Sequence, residues 1–344
     1  MSDWQNHIHH GDCLKFIQEK LEELANSFRV IYIDPPFLSG TDYSLKNRSE
    51  GSPASAGKVE ETPTYSDKWK DLKDYIDFMK PRLEGMRKLL TDNGSLWVHL
   101  DWHVSHYVKT LLDEIFNYEN FINEIVWKRT NSPKVQSRGL GAQHDVILLY
   151  ARDAQKFHLN PIYREHDKKS LKPYSYEDER GRFRLIEIEA QGIQRTKNRR
   201  QFEWRGRMAP YLYRRETLDK WWEEDLIYRS KHGRYTKKQY LCDTPGVPVS
   251  DLWFDISPVQ GGSLEYTGFL TQKPEALLER IILAASNSGD LVGDFFAGSG
   301  TTAIAAHRLG RRWIVCEEVA STLDIFRARL QNLDSSAKFS FSSF

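Results

Sequence analysis

Apolar positions along this chain fall into two spacings, short unbroken runs that suit buried strands and stripes of helical period between them. Arg29–Ile33 is a run of the first kind ending at Asp34, and Ser95–Leu100 is another, following the turn Asp92-Asn93-Gly94. Both read as central parallel strands. Tyr75–Leu90 reads as a helix between them and Val104–Phe116 as a second, with Phe121–Lys128 and Asp145–Tyr150 as further strands. Near the other end, Pro274 sits at the expected first position of a helix whose Leu277, Leu278, Ile281, Ile282 and Ala285 share one face. Asp290–Phe295 then predicts a strand, Gly298–Gly300 a tight turn, Thr301–Leu309 a helix, Arg312–Cys316 a strand closing at Glu317, and Ser321–Leu330 a helix. Together these make one βαβ unit of the nucleotide-binding kind, so the expected class is α/β.

Two stretches break the pattern. Ser39–Asp67 is rich in Ser, Gly, Pro and charge, and its length and polarity predict a mobile loop that follows Asp34 and could serve as a lid. From Ala151 to about Gly262 the periodicity fails and a second module is expected. Charge sharpens that boundary. The whole chain of 344 residues is nearly neutral at +1, yet Ala151–Ser250 holds 23 Lys+Arg against 15 Asp+Glu, leaving 26 against 33 elsewhere. Phe202, Trp204, Tyr211, Tyr213, Trp221 and Trp222 interleave with Arg205, Arg207, Arg214 and Arg215. Cations offset phosphate charge and aromatic rings stack on bases, so the mixture suits a nucleic acid, with Trp204 and Arg205 the first contacts to expect. The plainer alternative is a solvated basic face over an aromatic core.

Composition narrows the class further. Hydrophobic residues at 40% and charged ones at 28% exclude a largely disordered chain. Cys13, Cys242 and Cys316 form no Cys-x-x-Cys or Cys/His cluster, so neither a disulfide framework nor a zinc site is signalled and a reducing cytoplasm is expected. The chain shows neither a charged-then-apolar leader nor a run of 18 apolar residues, so no membrane partner is expected. His7, His9, His10, His99, His103 and His106 read as surface or strand-end residues without metal, and Trp69 and Trp97 as core.

Two motifs carry chemistry. Phe296–Ala303, FAGSGTTA, has the form G-x-G-x-x-A after a strand and at the opening of a helix, with Glu317 closing the next strand. Glycines there let the backbone approach a nucleoside-containing cofactor, and the carboxylate accepts from ribose hydroxyls. The second motif, DPPF (Asp34–Phe37), also ends a predicted strand. Its two prolines fix φ and remove N–H donors, leaving the Asp34 carboxylate and the Pro35 carbonyl as acceptors and Phe37 as a stacking face. Two acceptors on one exocyclic amine would localise its lone pair and aim it at an electrophile.

These residues resemble the DNA amino-methyltransferases that use S-adenosylmethionine, in particular the permuted class in which DPPY/F precedes the recognition region and FxGxG comes last. The resemblance spans nearly the whole chain. It includes HHGDCL (His9–Leu14), IYIDPPF (Ile31–Phe37), LLTDNGSLWVHLD (Leu89–Asp101), NEIVWKR (Asn123–Arg129), HDVILLY (His144–Tyr150), FEWRG (Phe202–Gly206), PGVPVSDLW (Pro245–Trp253), TQKPEALLERII (Thr271–Ile282), DFFAGSGTT (Asp294–Thr302) and RRWIVCEE (Arg311–Glu318). Phe295 and Phe37 stand where many relatives carry proline and tyrosine.

What the resemblance implies is specific. The fold would be a Rossmann-like class I methyltransferase, circularly permuted, with a mostly parallel seven-stranded sheet, helices on both faces and an inserted target-recognition module. Residues 1–150 would be the catalytic half, 151–262 the recognition module and 263–344 the cofactor half. Asp34, Pro35, Pro36 and Phe37 would hold the target amine. Asp12, Cys13, Gln272, Lys273, Asp294, Phe296, Ala297, Gly298, Ser299, Gly300, Thr301 and Glu317 would surround the donor, with Asp12 on its adenine, Glu317 on its ribose and Lys273 at its carboxylate. Arg199, Arg200, Trp204, Arg205 and Arg207 would face duplex DNA. Asp at the first motif position resembles adenine-N6 enzymes more than cytosine-N4 ones. A homodimer and a cognate restriction endonuclease are further partners that relatives suggest. Three rivals stay open: an NAD-dependent oxidoreductase, which leaves DPPF unexplained; a non-catalytic DNA-binding protein on this scaffold; and an RNA methyltransferase.

Overall fold

The apolar runs pair side by side in one twisted sheet. A computed structural model describes residues 6–40, 42–48, 59–130, 139–190 and 200–343, with backbone alone for 42–48, 59–66 and 200. The chain divides into two compact units, Met1–Ile162 with Ser250–Phe344, and Tyr163–Val249.

In the first unit the strands are β1 (Asn6–His10), β2 (Phe28–Ile33), β3 (Leu90–Leu100), β4 (Phe121–Lys128), β5 (His144–Ala151), β6 (Leu252–Trp253), β7 (Leu291–Asp294), β8 (Arg312–Glu317) and β9 (Phe339–Ser343). They lie in the order β6-β4-β5-β3-β2-β7-β8-β1-β9. All neighbours are parallel except those that β5 makes with β3 and β4. Six of these strands are predicted individually, β1 brings the sheet to the seven that the resemblance implies, and the two-residue β6 and the terminal β9 extend the edges. Helices α1 (Cys13–Leu24), α2 (Leu72–Leu89) and α3 (Ser105–Phe116) pack on one another, and α4 (Glu275–Ala285), α5 (Thr301–Arg308) and α6 (Ala320–Leu333) form a second group. The sheet and the first group bury Phe16, Phe28, Ile31, Met79, Leu83, Leu96, Val98 and Phe116 in one core.

The connections set the place for a ligand. From β2 the chain crosses through α2 to β3, and from β7 it crosses through α5 to β8 on the opposite side. Because β2 and β7 are neighbours, the loops after them diverge and leave a crevice at the sheet's switch point. Asp34 follows β2 and Asp294 ends β7.

Several expectations need correction. Asp92–Gly94 does not separate two elements: the β2–β3 register jumps from Phe28↔Leu90 to Val30↔Ser95, so the turn bulges out of one continuous strand. Helix α2 starts before Tyr75 because Asp71 caps it, its side chain accepting from Asp74 N at 2.9 Å. Pro274 occupies the cap position before α4, with φ −66° and ψ 140°, rather than its first turn. The stretch Ser39–Asp67, read as a mobile loop, contains the antiparallel strands Asp42–Arg48 and Val59–Ser66, while 49–58 lie outside the described residues. Its sequence carries no sustained apolar run or alternation, and hence no strand signal. His7, His9 and His99 are buried rather than superficial. The first two hold β9 against β1 through Ser340 and Ser342 at 2.7–2.9 Å, and burial beside His9 pushes the His7 imidazole down to about 4.

The second unit is antiparallel. Strands Tyr176–Asp178, Gly181–Glu187, Tyr235–Tyr240 and Ile227–Arg229 form one sheet, Arg200–Trp204 and Arg207–Tyr211 a hairpin, and Arg215–Glu223 a helix. The unit is narrower than the expected module 151–262, because charge and lost periodicity mark a surface and packing marks a unit. Residues 151–162 and 250–262 go with the first unit, Asn160 Nδ2 donating to the carbonyls of Leu283 and Ser286 at 2.9 Å each. Among the described residues no helix is long and apolar enough to cross a membrane.

Candidate functional site

A cavity of about 520 Å³ opens in the first unit where β1, β2, β7 and β8 end, a size that suits a nucleoside-sized molecule. The glycine turn forms one wall. Gly298 and Gly300 take φ of +51° and +78°, and a Cβ on Gly300 would lie 2.1 Å from the Phe326 ring. Both glycines are therefore demanded, one by conformation and the other by conformation and contact. Ala297 N donates to Cys316 O at 3.0 Å, and Arg329 braces the turn from α6, donating to Ser299 O at 2.8 Å and Thr301 Oγ1 at 3.0 Å. Nothing in the sequence marked Arg329.

Two acids flank that turn. Glu317 accepts from Gly298 N at 2.6 Å and from Val319 N at 2.8 Å. Asp294 accepts from Phe296 N at 3.0 Å and from the Thr302 hydroxyl. Burial pushes both carboxyls up to about 7, with neighbouring negative charge from Glu318 and Asp34 respectively adding to the effect. An acid raised above its unfolded value contributes stability that is full below about pH 4 and lost as pH climbs through about 7. Asp294→Asn is expected to flatten the fall in melting temperature of the ligand-free protein between about pH 5 and about pH 8. A melting profile parallel to that of the unaltered protein would contradict this.

At the far wall Asp12 caps α1, accepting from Leu14 N at 2.7 Å, and both its oxygens take Arg82 Nη2 at 2.9 and 3.0 Å. Arg82 lies over the Phe78 ring at 3.5 Å. Cys13 lines the same wall, its thiol pushed up to about 12 by burial, and so is no nucleophile here. Gln272 lines the cavity, but its side-chain oxygen accepts from Thr267 N and Oγ1 and its Nε2 donates to Glu265 O, so it organises its own loop. Phe296, Ala297, Ser299 and Thr301 also line the cavity, whereas Gly300 underlies it as the cap of α5. Sequence reasoning missed Arg82, Phe78 and Tyr32. Trp69, read as core, also lines the cavity and packs between Tyr75 and Phe78.

Asp34 and Pro36 also line the cavity, whereas Pro35 is buried and Phe37 is not among the lining residues. Lys273, expected at a carboxylate of the donor, lines the cavity, and its Nζ donates to Asp34 Oδ2. The other oxygen, Asp34 Oδ1, is buried without a partner. Phe37 lies 5.6 Å from Lys273 Nζ. The next residue, Leu38, takes φ +60°, a left-handed conformation that costs a non-glycine residue about 1–2 kcal/mol. Asp67 stabilises it by accepting from Leu38 N at 2.8 Å and Ser39 N at 2.7 Å.

In the second unit the expected contacts separate. Trp204 is 1% exposed, packs on Tyr211 and Tyr235 and donates to Asp219 Oδ1 at 2.8 Å, so it is a core residue and not a surface contact. Arg207 is paired with Glu189 at 2.7 and 2.9 Å. Arg205 is exposed at the hairpin tip, where Arg205 and Gly206 take φ of +48° and +78°, as a two-residue turn of this kind needs. Its guanidinium lies 4.1 Å from the Trp222 ring. Arg199 and the side chain of Arg200 lie outside the described residues. Trp204→Ala is expected to destabilise this unit by about 3–5 kcal/mol. Arg205→Ala should change stability by no more than about 0.5 kcal/mol, and thermal denaturation of the two variants checks the contrast.

Fold and site together define a Rossmann-like α/β scaffold with a nucleotide-type pocket at its switch point. A family model described as DNA methylase, of the N6/N4 methyltransferases, matches residues 28–327, and the chain belongs to that family. It is 31% identical over 294 residues to the type II methyltransferase M.EcaI of Enterobacter cloacae, covering 84% of this chain and 62% of that one. It is 28% identical over 338 residues to the StyLTI Mod subunit, part of a type III restriction-modification enzyme of Salmonella typhimurium, covering 89% and 51%. The chain thus spans about half to three fifths of these relatives' length. Its fold matches that of TTHA0409 of Thermus thermophilus, complexed with S-adenosyl-L-methionine, with a TM-score of 0.50 at 15% identity over 98% of this chain and 99% of that one.

Proposed function

We propose that this chain is a site-specific DNA methyltransferase that takes a methyl group from S-adenosylmethionine and delivers it to the exocyclic N6 of adenine in duplex DNA. The observation that carries the proposal is Asp34 Oδ1, an acceptor buried without a partner on the wall of the nucleoside-sized cavity. An exocyclic amine supplies the donor that oxygen lacks.

The cavity fits the cofactor. Its glycine turn leaves room for a ligand against the backbone, Glu317 suits a ribose diol, and Asp12, fixed by Arg82, suits an adenine amino group. When bound, S-adenosylmethionine supplies an electrophilic methyl group on a sulfonium. The protein does the rest by position. Asp34 Oδ1 and the Pro35 carbonyl each accept one hydrogen of the amine, which draws the N–H groups out of the ring plane and localises the lone pair on nitrogen, while Phe37 stacks on the base. Lys273 keeps Asp34 oriented through Oδ2. Positioning and fixed acceptors contribute several kcal/mol without a metal or a covalent intermediate.

A base inside a duplex reaches this pocket only by flipping, at a cost of a few kcal/mol. The unit Tyr163–Val249 supplies compensating phosphate and base contacts, with Arg205 on Trp222 the foremost, and serves as the recognition region between the catalytic and cofactor halves of the sequence. Asp rather than Ser at position 34 favours adenine; cytosine N4 is the second reading, since it offers the same amine beside a ring nitrogen. The type II and type III relatives favour a restriction-modification setting, with a cognate endonuclease and a second copy of the chain as partners in the cytoplasm. Tritiated-methyl incorporation with duplex DNA, single-stranded DNA and RNA as competing substrates tests the reading. Duplex DNA should take the label; label in RNA alone, or in none, would overturn it.

A further inference from the structure

Beside the DPPF motif lies a buried polar chain that the proposed chemistry does not use. Tyr32, two residues before Asp34 and on the same side of the strand, is among the residues lining the cavity, and its hydroxyl lies 2.9 Å from His99 Nδ1 on the neighbouring β3. His99 Nε2 lies 3.2 Å from Asp145 Oδ2 on β5, and Arg129 Nε stands 3.3 Å from the other Asp145 oxygen. Tyr32, His99 and Asp145 are all buried. The Phe37 ring stacks on the imidazole, with 6.2 Å between centroids and 23° between planes, and Trp127 closes the edge at 5.5 Å.

With the imidazole neutral and Asp145 ionised, one arrangement of donors and acceptors is consistent. Burial alone would push the Asp145 carboxyl up, but the hydrogen bond from His99 and the positive charges of Arg129 and Lys273 outweigh it and hold the group below the usual range. An ionised Asp145 accepts from His99 Nε2–H, which leaves Nδ1 bare and able to accept the Tyr32 O–H. Each member thereby fixes the orientation of the next, across three adjacent strands, with no group left to rotate.

We propose that His99 is a positioning residue for the target base: clamped between Tyr32 and Asp145, it is the rigid floor that holds Phe37 and the Asp34 end of β2 in the geometry that accepts a flipped base. The inference rests on the function proposed above. It assigns His99 to the target side of the pocket alone, because its hydrogen bonds run to Tyr32 and Asp145, while Asp12 and Glu317 are held by Arg82 and Gly298.

His99→Ala should lower the single-turnover methylation rate at least about tenfold while the S-adenosylhomocysteine affinity, read by calorimetry, stays within about threefold. Asp145→Asn, which keeps the volume but removes the charge that selects the tautomer, should lose several-fold. The double variant should be no slower than His99→Ala, since the two act as one unit. In a duplex carrying 2-aminopurine at the target, the fluorescence rise on binding should persist with altered amplitude, reporting a base that is flipped but loosely held. A His99→Ala rate within about twofold of the unaltered enzyme would overturn this inference alone, as would loss of S-adenosylhomocysteine binding equal to the loss of rate. Absence of transfer by the unaltered enzyme would remove the inference together with the function beneath it.

Discussion

Asp34→Ala should lower the rate of methyl transfer by at least about a thousandfold while leaving S-adenosylmethionine affinity within about threefold, since fixed donors or acceptors at the reacting atoms commonly contribute about 10²–10³ each. The asymmetry follows from geometry. Asp34 lines the cavity, has its Oδ1 unpartnered and is the group assigned to the target amine, whereas the groups assigned to the nucleoside, Glu317, Asp294 and Asp12, are held by their own hydrogen bonds to Gly298, Phe296 and Arg82. Removing the carboxylate also leaves the Lys273 ammonium without its partner in a half-buried place, so part of the loss comes from a displaced Lys273. Asp34→Asn separates the two effects. It keeps one acceptor and the shape, and should retain more rate than the alanine variant. Single-turnover transfer and calorimetric donor binding, measured on the same preparations, check the split; equal loss of both would contradict the role given to Asp34.

The second large effect concerns the glycine turn. Gly300→Ala should destabilise the first unit by about 2–5 kcal/mol, from about 1–2 for a left-handed conformation and about 1–3 for an overpacked contact. The contact is with the Phe326 ring, which is fully buried against Trp313 and has nowhere to retreat. Because whole domains are stable by only about 5–15 kcal/mol, the variant should melt several degrees lower. Donor affinity should fall as well, at least about tenfold, because relief of the clash moves Ser299 and Gly298, the residues that line the cavity. A variant that melts with the unaltered protein would contradict the close packing at Gly300.

The DPPF and glycine motifs were legible in the sequence because the properties they rely on are local. Strand ends, prolines that remove donors and glycines at a close approach are written in consecutive residues, and both motifs follow strand ends around one cavity. What was not legible depends on distant partners. Arg82 meets Asp12 across 70 positions and Arg329 braces Ser299 across 30, and neither belongs to a motif. His99 read as a strand-end residue because nothing in WVHLD announces Tyr32 on one side and Asp145 on the other. The second unit misled in a different way. Interleaved rings and arginines suggested contacts throughout, but a unit of this size needs a core of its own, and Trp204, Tyr211 and Tyr235 supply it. Arg205, packed against Trp222, remains on the outside.

If this pocket methylates an exocyclic amine of a base in DNA, adenine first, the chain should mark the DNA of a cell that makes it. The most direct test is to express the chain in a host that lacks adenine methylation and to sequence that genome by a method that reads both N6-methyladenine and N4-methylcytosine. One short motif modified at adenine throughout the genome is expected, and no such motif in cells carrying Asp34→Ala. A genome without any modified motif, from cells that contain the folded protein, would contradict the proposed function.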